Sequence, residues 1–91
     1  MLRLAVLLVL VPAAALATPD TYRVVGVARG DMLNIRERPD PESDLIGQIP
    51  HDGRRIRGFG CTDDTENGTA WCRVKHGAVV GWVRQKFVRP E

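Results

Sequence analysis

Leu33-Asn34-Ile35-Arg36-Glu37-Arg38-Pro39 is the stretch that decides the fold. Leu33 and Ile35 alternate with Asn34 and Arg36, the pattern of a half-buried strand with the aliphatic pair inward. Pro39 has no backbone N–H to give a ladder, so the strand ends by about that residue. The polar run Asp40-Pro41-Glu42-Ser43-Asp44 turns the chain before the next apolar pair, Leu45 and Ile46.

Working outward, the same grammar recurs. Tyr22 to Ala28 is β-branched and apolar and predicts a first strand, closed by the turn signal Gly30-Asp31. Leu45 to Ile49 predicts a third strand, closed by Pro50, with Asp52-Gly53 as the next turn. Arg54 to Cys61 predicts a fourth, with Ile56 inward and Arg55 and Arg57 outward. Gly58 and Gly60 suggest a bend or bulge in it. Thr62 to Thr69 is polar and acidic, with Asn67-Gly68 as its sharpest turn signal.

Trp71 to Lys75 predicts the fifth strand, Val79 to Arg84 the sixth after a turn at Gly77, and Phe87-Val88 a short closing piece. No segment keeps a helical period. Short strands at near-regular spacing imply an all-β fold, a small barrel or sandwich with Leu33, Ile35, Ile56, Val74 and Val83 in its core. A closed barrel also removes the exposed edges of so small a sheet.

The N-terminal segment reads differently. Arg3 precedes an unbroken apolar run from Leu4 to Val11, and Pro12 and small residues lead to Ala15-Leu16-Ala17. That order of charge, apolar core and A-x-A site predicts a secretory signal peptide over residues 1–17, cut after Ala17. A membrane anchor needs roughly 20 apolar residues, and this run breaks at Pro12. Residues 18–91 then form one exported domain, secreted or periplasmic, with no membrane insertion after cleavage. Without Arg3 it holds twelve basic and eleven acidic residues. Near-neutrality argues against a nucleic-acid footprint, which needs concentrated positive charge.

So small a domain needs a staple. Cys61 and Cys72 are its two cysteines, in a chain marked for an oxidising compartment, and a disulfide is expected. A C-x-x-C redox spacing is absent, and two Cys without a nearby His pair do not make a zinc site. If the two Cys face each other, the fourth and fifth strands form a hairpin whose register the bridge locks.

Five pieces in order resemble the bacterial Src-homology-3 (SH3b) domain family. They are Leu33-Asn34-Ile35-Arg36 with Pro39, Ile46-Gly47 to Ile49-Pro50 with Gly53, Trp71 to Val74, Gly81-Trp82-Val83, and Phe87-Val88. The resemblance covers nearly all of residues 18–91 and implies an SH3-like barrel of five to six short antiparallel strands. It also implies a binding module, since many members bind cell-wall peptides or carry enzymes to peptidoglycan. The Cys pair is similar to one found in exported members. No hydrolase accompanies the module within these 91 residues. The acidic, aromatic-rich first loop of eukaryotic proline-binding relatives is missing, which sets proline-rich recognition aside.

Trp71 and Trp82 are candidate ligand-binding residues, because an indole offers flat apolar area with one donor. Packing on the barrel is the competing role, and for Trp82 the favoured one. With Cys72 and Val74 inward, Trp71 is expected on the outer face, partly accessible and walling a groove. Arg36 suits a bidentate carboxylate, against a local ion pair with Glu37 or an aspartate. Asn34 is a fourth candidate, against a role holding the neighbouring loop through its backbone.

His51 and His76 are read as exposed loop residues with no nucleophile or second ligand at a useful spacing. Asp63, Asp64 and Glu66 lack the terminal ligand of a calcium loop. Asn67-Gly68-Thr69 matches a glycosylation acceptor that matters only in a eukaryotic secretory route. No cofactor pattern and no nucleophile–base pair is found. The expectation is an exported, monomeric, non-enzymatic module for peptidoglycan peptide or glycan. The alternative is a protein–protein adaptor for a separate envelope protein.

Overall fold

The computed structural model describes residues 21–63 and 69–91. Seven antiparallel strands form it: β1 (Thr21–Val24), β2 (Met32–Arg36), β3 (Leu45–Pro50), β4 (Ile56–Cys61), β5 (Trp71–His76), β6 (Val79–Arg84) and β7 (Val88–Pro90). A single 3-10 turn, Gln85–Phe87, joins β6 to β7. The strands make one sheet in the order β3-β2-β6-β5-β4-β1-β7. The expected all-β, SH3-like architecture is present, with seven strands where five to six are expected, because the closing piece pairs with β1 as the short β7. The predicted signal peptide, the Asn67-Gly68 turn, Asp64 and Glu66 lie outside the described residues.

The core is what alternation demands. Leu33 and Ile35 of β2, Ile56 of β4, Val74 of β5 and Val83 of β6 are all buried. Tyr22, Val24, Ile49, Cys72 and Val88 join them in one cluster. Cys61 and Cys72 are paired residues of the β4–β5 hairpin and are disulfide-bonded. The register shifts between Gly58 and Cys61, the bulge that the two glycines suggested.

Gly58 has a packing reason to be glycine. A Cβ there would overlap the Tyr22 ring, 2.7 Å from Cδ2 and closer still to Cε2. The ring lies over the bare backbone, and its hydroxyl reaches the Cys61 sulfur at 3.5 Å. Burial pushes the Tyr22 phenol above its ordinary value.

Two strands are shorter than the sequence suggests. β1 ends at Val24 rather than Ala28, because Gly26 adopts φ 71° and turns the chain. β4 begins at Ile56 rather than Arg54. Arg55 is not an outward strand residue; it sits before the strand at φ 55°. Its N–H donates to the Glu91 carboxylate at 2.8 Å, and Arg54 pairs with the same group. These contacts hold the Glu91 carboxyl below its ordinary value, the Arg55 backbone hydrogen bond foremost.

Candidate functional site

A groove of about 450 Å³ opens where the β1–β2 loop faces the far ends of β5 and β6. β2 sends Asn34 and Arg36 to it, because these residues alternate with the buried Leu33 and Ile35. β5 contributes Trp71 and β6 contributes Arg84, its cross-strand partner. The 3-10 turn adds Lys86 and Phe87. Phe87 is fixed by the loop opposite, where the Val25 N–H donates to the Phe87 carbonyl at 2.8 Å.

Three of the four candidate residues therefore meet in one place: Trp71, Arg36 and Asn34. Trp82 does not line the groove. It is half-buried on the outer sheet face, paired with Arg73 on β5 and Arg36 on β2.

The structure corrects the expected exposure of Trp71. Its register is as read, with Cys72 and Val74 fully buried, yet Trp71 is itself only 4% exposed. The Arg84 guanidinium stacks over the indole at 5.4 Å. The Trp71 N–H of the backbone donates to Thr62 Oγ1 at 3.0 Å, and the Thr62 N–H returns a bond to the Trp71 carbonyl at 2.7 Å. Trp71 is thus a wall of the groove held in place from behind, not a free indole.

Asn34 and Arg36 also differ from their bland roles. Asn34 Oδ1 accepts from Gln48 Nε2 across to β3 at 3.0 Å, so it braces a strand rather than a loop. Arg36 makes no ion pair with Glu37. It donates to the Ser43 carbonyl at 3.3 Å, while Glu37 meets Arg38. Ser43 is buried, and its hydroxyl donates toward the Arg38 and Asp40 carbonyls while accepting from the Arg38 N–H. That knot sets the β2–β3 loop and, with it, Pro41 at the groove rim. His51 and His76 are half-buried rather than exposed, and His76 is not a loop residue but closes β5, paired with Val79.

Arg36, Arg84 and Lys86 face a single groove carboxylate, Asp31. Among the described residues, none of the three has an acidic side chain within ion-pair distance. The groove is cationic, with an aromatic wall and an apolar lip at Met32, which is 42% exposed. Such a surface takes an anionic group beside an apolar one. Arg84, Lys86 and Phe87 were not singled out from the sequence, although the run Arg84-Gln85-Lys86-Phe87 spaces two cations beside an aromatic.

The family model described as bacterial SH3 domain matches residues 31–89. The comparisons with curated proteins and with solved structures give no match.

Proposed function

From the premise that this chain belongs to the bacterial SH3 domain family, a family of binding modules, we propose that it is an exported module whose groove binds a carboxylate-bearing peptide of the cell wall. The observation that carries this reading is the gathering of Arg36, Arg84 and Lys86 around Trp71 with no ion-pair partner among the described residues. Peptidoglycan stem peptides carry free carboxylates on short, small-side-chain backbones. A guanidinium holds a carboxylate through paired N–H bonds, and an ammonium adds a point charge. The indole and Phe87 offer apolar contact to the peptide's aliphatic atoms.

Binding, not turnover, is the role proposed. Export fits the leader-like residues 1–17 and a disulfide, which forms in an oxidising compartment. Mass spectrometry of the mature protein tests the cut after Ala17.

Titration of the protein with purified muropeptides, followed by chemical-shift perturbation, tests the site. Perturbed amides should map to Asn34, Arg36, Trp71, Arg84 and Phe87. Arg84→Gln should weaken binding about ten-fold or more, the loss of a charge-assisted hydrogen bond. Shifts confined to other strands, or retention of full affinity in Arg84→Gln, would remove the groove from the mechanism. Failure to bind muropeptides, with one envelope protein co-purifying instead, would favour the adaptor role.

A further inference from the structure

All eleven carboxylate side chains of the sequence lie outside β4, β5 and β6. Those three strands carry Arg57, Arg73, Lys75 and Arg84 and no acidic residue. The pairing puts most of this charge on one outer face, the face whose other end holds Trp71 and Arg84 of the groove. Arg57 is opposite Lys75, Lys75 is opposite Val80, and Arg73 is opposite Trp82. With strands about 4.8 Å apart and alternate residues about 7 Å apart, three cations fall within roughly 10 Å.

At the centre stands Phe59, 48% exposed. The Arg57 and Arg73 guanidinium carbons lie 5.6 Å and 5.9 Å from its ring centroid. Val80, 38% exposed, and the half-buried Trp82 extend the apolar ground. Phe59 is about half exposed and stands outside the core cluster. Among the described residues, no carboxylate lies within ion-pair distance of Arg57, Arg73 or Lys75.

We propose that this outer face of β4–β5–β6 is a peripheral docking surface for an anionic lipid bilayer. Charge complementarity selects an anionic occupant. The form of the face selects a bilayer. Its cations stand around one exposed aromatic ring on a continuous sheet surface spread over β4 and β5. A headgroup layer supplies many phosphates at no fixed spacing, and an aromatic ring at that depth keeps one side in apolar surroundings. Arg57 and Arg73 lie over the Phe59 ring, and a guanidinium has five N–H donors to offer phosphodiester oxygens. None of Arg57, Phe59, Arg73 or Lys75 lines the groove, so their substitution leaves its walls in place.

Co-sedimentation of the exported protein with vesicles tests it. One set is pure phosphatidylcholine; in the other about a third of the lipid is phosphatidylglycerol, enough for a surface potential felt within a Debye length. Partition should appear on the anionic set and fall with added salt. Arg57→Gln, Arg73→Gln and Lys75→Gln should each weaken it about five-fold. Phe59→Ser should also weaken it with no charge change, and a melting curve checks that its fold is intact. Arg89→Gln, an exposed cation on β7, should change partition little. Equal partition on neutral vesicles, or an Arg89→Gln loss as large as that of Arg57→Gln, would overturn the proposal. So would binding to soluble poly-glutamate with no partition onto vesicles, which would assign the face to an acidic protein.

Discussion

Replacing Trp71 by alanine should cost the domain a large share of its stability. The indole is 4% exposed, so nearly all of a side chain of about 150–250 Å² is withdrawn from water. At about 25 cal/mol per Å² that is roughly 4–6 kcal/mol as an upper bound, and large aromatic-to-alanine changes measure about 3–5 kcal/mol. A domain of this size holds about 4–11 kcal/mol in total. Trp71→Ala therefore leaves it marginal, and its loss of binding would report unfolding. Trp71→Phe keeps a ring for Arg84 to stack on and should cost about 1–2 kcal/mol. Urea unfolding of the three proteins, with m-values compared, is the assay. A Trp71→Ala loss below about 1 kcal/mol at unchanged m would refute the reasoning, because the indole would then not be supporting the barrel.

Three further outcomes are expected. Gly58→Ala should destabilise by about 1–3 kcal/mol, since its methyl must displace the Tyr22 ring, and the penalty should shrink in a Tyr22→Ala background; additive losses would sink the clash. Reduction of Cys61–Cys72, eleven residues apart, should cost about 3 kcal/mol by loop entropy and leave the far-ultraviolet spectrum near native; a spectrum collapsing at once would mean the bridge nucleates the fold. Glu91→Gln should lower the melting temperature at neutral pH. The folded carboxyl is held below its ordinary 4.5, so its contribution is present above that value and disappears as pH falls through the lower folded one. The two melting curves should converge in that acidic window, and a gap that persists through it would dismiss the Arg54–Arg55 clamp.

Strands and core were legible because both depend on local alternation. Leu33-Asn34-Ile35-Arg36 declares its inner face without knowing its neighbours, and the buried set follows from it. Trp71 shows where alternation stops. It places Trp71 opposite Cys72 and Val74 correctly, but opposite the core is not the same as in water. The outer end of β5 is covered by Arg84 from β6 and faces the β1–β2 loop, elements far away in the chain. Gly26 likewise ends β1 through a backbone angle that apolar content does not reveal. The cationic half of the groove was missed for a related reason. Arg84 and Lys86 read as ordinary surface charges until topology sets them beside Arg36.

The way β1 meets β7 has a consequence for engineering. The Glu91 N–H donates to the Thr21 carbonyl at 3.0 Å, and Thr21 Oγ1 donates to the Glu91 carbonyl at 2.7 Å. Thr21 and Glu91 thus touch, on a pair of strands remote in sheet order from β2 and β6. A few residues would splice Glu91 to Thr21, and the chain could be reopened at the exposed Gly77-Ala78 turn. Such a circular permutant keeps every strand pairing and loses only the covalent link of β5 to β6. By the same geometry the unit can be spliced whole into a surface loop of another protein, whose two attachment points need lie only a strand's width apart.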